Sequence, residues 1–157
     1  MINELPDPVL RQVYRLKAVM DQPLDFGDVL ARQRRVVPLV GGVFTGPELN
    51  GNLLPGGSTS WQTVLPAGTA LIEIRYTLRT DRGALLYVLS SGVGQGNREV
   101  AARVGRDEDV DAGEHLFHAA TRIETAAPHL DWLNKGVFVT VAGRTAVNVL
   151  YETYLVG

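Results

Sequence analysis

Two short segments place groups capable of proton transfer or anion binding side by side. In ALIEIRYTLRT, residues 70–80, alternation sets Glu73, Arg75, Thr77 and Arg79 on one face and Ile72, Ile74, Tyr76 and Leu78 on the other. In LFHAATRIE, residues 116–124, His118, Arg122 and Glu124 share a face with Leu116 and Ala120, opposite Phe117, Ala119, Thr121 and Ile123. If both polar faces look into a cavity, Glu73 or Glu124 can move a proton while Arg75 stabilises an anionic intermediate. That is the arrangement of a cofactor-independent isomerase, lyase or hydrolase. If the apolar faces line the core instead, the charges sit on the outer wall, where an ion pair contributes about 0.2–1 kcal/mol. Alternation defines the two faces of each strand and leaves both directions open.

Other chemistries are harder to build from these residues. The chain has no cysteine, which removes disulfides, thiolate nucleophiles and Cys-ligated zinc together. His115 and His118 lie three apart, with Glu124 and His129 nearby, but on a strand that spacing points them to opposite faces, so no metal site is expected. Ser58, Ser60, Ser90 and Ser91 sit in glycine-rich stretches without a Gly-x-Ser-x-Gly elbow. The run GVGQG, residues 92–96, lacks the strand-to-helix context of a phosphate loop, and no cofactor is expected. Fifteen Lys and Arg against 17 Asp and Glu leave a net charge of -2, which offers nucleic acid no basic field. The cationic run at residues 32–35 reads as a solvated entry to a strand. The first residues carry acids and prolines where a signal peptide needs a basic start and an apolar run, and no segment reaches membrane-spanning length. A cytoplasmic protein with no membrane partner is the expectation.

The elements that must position these groups are short. Seventeen Gly and eight Pro punctuate a chain of 157 residues that is 45% hydrophobic, the rhythm of a single all-β domain spanning residues 1–157. Strands are expected at residues 13–20, burying Tyr14, Leu16, Ala18 and Met20, and at 35–44, 61–65 and 69–80. A tight turn at Asp81-Arg82-Gly83 leads into a returning strand that Gly92 and its neighbours interrupt. A short strand or turn at 99–104, an acidic loop at 106–114 and a strand at 115–125 follow, then a loop or helical turn at 128–135. A closing hairpin joins 136–141 to 146–155 through Ala142-Gly143-Arg144. Residues 21–34 read as a crossing loop with one helical turn at 28–33, and 45–60 as a long ordered loop too rich in Gly, Pro, Asn and Ser to pair continuously. Roughly eight strands of this length favour a closed antiparallel barrel, because closure removes exposed edges.

Several motifs match a known family. PLVGG and LPGG flank a Phe-x-Gly-Pro within residues 38–62, the hairpin EIRYTLRTDRGALLYV follows at 73–88, and RIETAAPHLDWLNKGVFV and VLYETY stand at 122–139 and 149–154. In order and spacing the chain resembles the domain-of-unknown-function family 3237, also called uncharacterised protein family 0311. The resemblance implies a small β-barrel of lipocalin or streptavidin type with at most one or two short helical turns. It also singles out Trp61, Arg75, Glu124, Trp132 and Asn134, for which no turn-building reason exists. The family's aromatic-Phe-Arg run is replaced here by Leu116-Phe117-His118.

Three functions follow. The first is a binding barrel whose mouth lies near residues 46–60 and 128–135 and takes a small, partly apolar organic ligand, with Trp61 and Trp132 stacking and Arg75, His118 and Asn134 orienting it. The second is the enzyme built on Glu73, Glu124 and Arg75. The third is a homo-oligomer pairing through Val137, Val139 and Val141 or the opposite strand faces.

Overall fold

Alternating apolar and polar residues resolve into antiparallel strands wherever the chain is described, which in this computed structural model is residues 3–95, Arg103 and residues 116–157. The strands are β1 (Leu10–Met20), β2 (Leu24–Val29), β3 (Arg32–Thr45), β4 (Gly51–Val64), β5 (Thr69–Thr80), β6 (Leu85–Gln95), β7 (Leu116–Glu124), β8 (Phe138–Arg144) and β9 (Asn148–Val156). A 3₁₀ helix, Pro128–Lys135, joins β7 to β8. Neighbours follow the order β1-β9-β8-β7-β6-β5-β4-β3-β2, and β1 also pairs with β3, so eight strands close into a barrel with β2 outside the ring. β1 covers the C-terminal half of β3, from Thr45 to Leu39, and β2 takes up the same edge of β3 from Val36 to Arg32. The expected features at 99–104 and 106–114, and His115, lie outside the described residues apart from Arg103.

The faces fall as alternation requires, with the apolar set inside. Tyr14, Leu16 and Ala18 of β1, Ile72, Ile74, Tyr76 and Leu78 of β5, and Phe117, Ala119, Thr121 and Ile123 of β7 are all buried. Glu73, Arg75, Arg79, His118, Arg122 and Glu124 stand on the outer wall. Halfway along the barrel a belt of hydroxyls crosses the core: Ser90 Oγ to Thr121 Oγ1 at 2.8 Å, Thr121 to Thr140 at 2.7 Å, and Thr140 to Thr153 at 2.8 Å. Thr153 sits beside the Tyr14 and Tyr76 phenols, which bond each other.

Four expected local features come out differently. The loop expected at 21–34 is instead strand β2 and a hairpin into β3, Val29 pairing with Arg32 across Leu30 and Ala31 at φ 53° and 63°. Two positive φ values match the right-handed twist of a two-residue hairpin better than a helical turn does. Only residues 46–50 leave the sheet in the stretch expected to be a long loop, and β4 begins at Gly51. Its ladder is nevertheless interrupted between Leu54 and Thr59, opposite a matching break in β3 between Pro38 and Val43. Ser58 bridges the gap, its Oγ donating to Leu54 O at 2.6 Å and accepting from Thr77 N at 3.2 Å. β6 runs unbroken through Gly92 and Gly94, because a Cβ on Gly92 would lie 2.5 Å from His118 O and only glycine admits that approach of β7. Finally, Ala142-Gly143-Arg144 continues β8, and the turn falls at 145–147, closed by Thr145 N to Asn148 O at 2.9 Å and Asn148 N to Thr145 Oγ1 at 3.1 Å.

Up-and-down connectivity sends alternate links to opposite ends. The 46–50 loop, the 81–84 turn and the 3₁₀ helix share one end, which Leu49, Leu130 and Leu133 plug as part of the core. The β2–β3 hairpin and the turns at 65–68 and 145–147 share the other.

Gly51 reports on the tightness of the closed end, since an added Cβ would lie 2.0 Å from Arg79 O and 2.9 Å from Phe44 Cε1. Gly51→Ala is expected to lower the urea unfolding free energy by about 2–3 kcal/mol. Gly56→Ala, whose Cβ would meet nothing within 4 Å, should stay within about 0.5 kcal/mol of the parent.

Candidate functional site

A cavity of about 550 Å³ occupies the end of the barrel away from the Leu49 plug. Its walls are apolar, with Met20, Val37, Ile72, Phe117 and Val149 among the lining residues, and the β2–β3 hairpin supplies Asp28 and Ala31 at the rim. Polar side chains enter from three strands: Gln33 and Arg35 from β3, Ser60 and Gln62 from β4, and Arg144 from β8. Tyr151 of β9 completes the set. The volume falls within the about 300–1,000 Å³ typical of small-molecule sites, which are mostly apolar with a few convergent polar groups.

Strand parity explains how these groups come to face inward. Arg35 is in phase with Val37 and Leu39, and Arg144 is in phase with Phe138, Thr140 and Ala142, all turned toward the core. Arg35 Nε donates to Gln62 Oε1 at 3.1 Å, and Gln62 Nε2 to Ser60 Oγ at 3.4 Å. Arg144 is only 9% exposed and Tyr151 1%. Neither Arg144 Nε nor the Tyr151 hydroxyl has a hydrogen-bond partner among the described residues. The Tyr151 ring lies between Tyr76, centroids 5.5 Å apart, and Phe117, 6.3 Å away and edge-on.

Electrostatics follow from this burial. Desolvation, and secondarily the Arg35 charge, pulls the Arg144 guanidinium down to about 10. Burial also lowers Arg35, against a small opposing effect of Asp25. Desolvation raises the phenols, Tyr14 to about 12, and holds Tyr76 and Tyr151 well above the ordinary phenol value. Near neutral pH the cavity therefore presents two cations and neutral hydroxyl donors. Among the described residues no carboxylate forms a salt bridge with either arginine.

None of the residues expected from the sequence to act on a ligand lines this cavity. Glu73 and Arg75 project from the outside of β5, and Glu124 pairs outside the barrel with Arg122 at 2.8 Å. The inward reading of the two charged faces is thus replaced by the outward one, because the apolar face of each strand is the one that fills the core. His118 is also on the outer wall, between Val93 and Val141. Trp61 is 41% exposed and stacks on Phe26 of β2, centroids 6.1 Å apart at 23°. Trp132 and Asn134 belong to the plugged end, so the mouth expected there lies at the opposite end. Trp132 packs on the core beneath Arg11, whose guanidinium is 5.8 Å from the ring centroid. Asn134 fastens the 3₁₀ helix to the end of β7, accepting from Thr125 N at 2.8 Å and donating to Thr125 O at 2.9 Å. The outer wall also carries Val137, Val139 and Val141. Among the described residues no group of three His, Asp or Glu is set to hold a metal, and no helix is long and apolar enough to cross a membrane.

Comparison with known proteins gives one consistent match. The family profile described as a protein of unknown function (DUF3237) matches residues 8–156. A UPF0311 protein of Clostridium acetobutylicum is 30% identical over 154 residues, 98% of this chain and 97% of its own. A solved structure from Rhodopseudomonas palustris, described as a conserved protein of unknown function, superposes with a TM-score of 0.89 at 29% identity, covering 98% of this chain and all of its own. A beta-barrel like protein from Acinetobacter baumannii gives 0.84 at 31% identity, with 99% and 100% covered.

Burying the Arg144 cation costs stability at every pH below about 10, and the cost fades only as pH rises through that value toward the ordinary guanidinium range. Arg144→Met is accordingly expected to raise the stability of the ligand-free protein at pH 7 by about 1–2 kcal/mol, roughly 2–8 °C in Tm. Scanning calorimetry of the two proteins measures it, and an unchanged or lower Tm contradicts the electrostatic account. Asn134→Ala should cost about 1–2 kcal/mol by losing its bonds to Thr125, read in the same melt.

Proposed function

This chain belongs to the DUF3237 family, and we propose that it serves as a binding protein for a small, partly apolar organic molecule held in the open-end cavity. The observation that carries this reading is the cavity itself: about 550 Å³ of space bounded by apolar side chains, with Arg35, Gln62, Arg144 and Tyr151 converging on it. A barrel of this size is normally filled by its own side chains or holds one small ligand, and here the filling stops halfway. Below the hydroxyl belt the core is packed with Phe44, Leu78, Leu86 and Leu133, each fully buried. Above it the interior is left to a guest. Proton transfer by Glu73 or Glu124 finds no support, since both carboxylates point to bulk solvent on the outside of the wall.

The tryptophans are poor reporters of such a ligand, because Trp61 lies outside the barrel and Trp132 at its plugged end. An uncharged fluorescent probe, N-phenyl-1-naphthylamine, is the better choice. Its emission should rise on binding the parent protein. Ala70→Phe, which places a ring in the mouth between the 65–68 turn and β6, should weaken probe binding at least about tenfold, or about 1.4 kcal/mol, while leaving the melting curve intact. Equal probe binding by the two proteins counts against the cavity.

A further inference from the structure

Arg144 Nε and the Tyr151 hydroxyl are two buried donors on adjacent strands, with no acceptor for either among the described residues. Ala142 pairs with Tyr151 and Arg144 with Val149, so Arg144 and Tyr151 are diagonal neighbours on the inner face. Arg35 enters the same space from β3. A trapped water could satisfy the Nε hydrogen and the phenol, but it could not offset two guanidinium charges in one low-dielectric space. Proteins keep a desolvated charge where a counter-charge completes it, and among the described residues no carboxylate is bonded to either arginine. Asp25, the acid that acts on Arg35, is fully exposed and bonded to Gly27 N and Gln33 Nε2.

No described carboxylate neutralises Arg144 or Arg35, and an anion carried by the guest would do so. A guanidinium edge and a phenol beside it suit a planar carboxylate, which accepts from both at once. A bare inorganic anion would leave the wall formed by Ile72, Phe117 and Val149 without a partner, since these side chains favour apolar surface.

We infer that the guest is an organic carboxylate with an apolar body, its carboxylate seated on Arg144 and the Tyr151 hydroxyl and faced by Arg35, and its body on the wall formed by Ile72, Phe117 and Val149. This rests on the binding reading above and adds the chemical class of the ligand. The apo protein is then a poised state in which ligand binding relieves the repulsion between the two arginines.

Isothermal titration with matched pairs tests it: decanoate against decanamide, and 1-naphthoate against 1-naphthamide, at pH 7. The parent protein is expected to favour the acid of at least one pair by about 10–100-fold, the range of charge-assisted hydrogen bonds. Arg144→Met should bring acid and amide within about threefold of each other while still binding the amide. Tyr151→Phe should weaken the acid by about 3–10-fold. Arg35→Met, whose site is partly open to solvent, provides a second charge deletion that should also lower the acid-to-amide ratio. Equal affinity of acid and amide for the parent overturns the carboxylate assignment and leaves the cavity reading standing. A preference that survives in both arginine variants overturns the seat proposed for it. If no member of either pair binds and N-phenyl-1-naphthylamine fails as well, the cavity reading falls and the inference with it.

Discussion

Once β1 pairs with β3, no strand in the ring can slip by one residue without turning its apolar face to water, because side-chain direction alternates with a period of two. The register from Arg15 opposite Thr45 to Met20 opposite Leu39 therefore governs more than two strands. It fixes which half of every alternating sequence is sealed in, and so which charges can meet inside. The same closure displaces β2. With β1 occupying the edge of β3 only as far as Leu39, the remaining edge is free to take Leu24–Val29, and the wall rises on that side into a rim. The strand left out of the ring thereby brings Asp28 to the rim of the cavity.

Two kinds of polar group lie inside this barrel and they have opposite consequences. The hydroxyls of Ser90, Thr121, Thr140 and Thr153 bond to one another across four strands, and Thr153 continues the chain to Tyr14 and Tyr76. A fully connected network of neutral donors and acceptors stabilises and specifies a core. Being saturated, it also has little to offer a guest. Arg144 and Tyr151 are the reverse, with donors left over in a place where each unmet donor costs about 1–3 kcal/mol. The belt residues do not line the cavity, whereas Arg144 and Tyr151 do, so on the proposed binding reading a ligand's polar end would go to that side of the cavity and its apolar part to the remaining wall.

Much of the fold was legible in the residue order. The bounds Thr69–Thr80 of β5, the turn at Asp81-Arg82-Gly83 and the barrel class follow from periodicity and turn chemistry, while at Pro128–Lys135 a helical turn stood beside a loop as the two readings. The site was not, for two physical reasons. Alternation separates faces without saying which is inside, and the strands richest in charge, β5 and β7, carry that charge outside. The cavity arginines were camouflaged by their neighbours: Arg35 ends a cationic run whose other members are exposed, and Arg144 follows Ala-Gly, which reads as a turn. Counting parity from Val37 and Leu39, or from Phe138 and Thr140, would have turned both inward. Tyr14 was legible as a core residue, but its hydroxyl and those of Tyr76 and Tyr151 become informative only when β1, β5 and β9 are brought together.

Trp61 shows how a residue can matter to a site it does not touch. Among the described residues β2 makes backbone pairs only with β3, and it is exposed along its whole length, so it needs further anchorage. The stack of Phe26 on Trp61 reaches from β2 to β4 on the outer face, across the intervening β3, where Val36 is left 6% exposed. On the far side, Asp25 accepts from Gly27 N at 2.8 Å and from Gln33 Nε2 at 3.0 Å, bracing the start of the hairpin. These ties hold β2 against a turn that itself resists, since Leu30 and Ala31 adopt left-handed backbone at about 1–2 kcal/mol each. The hairpin so held carries Asp28 and Ala31 to the rim and Arg35 into the cavity. The aromatic pair outside the barrel is thus a buttress for the mouth, and its exposure follows from that position: the ring must lie on the outer face to reach across β3.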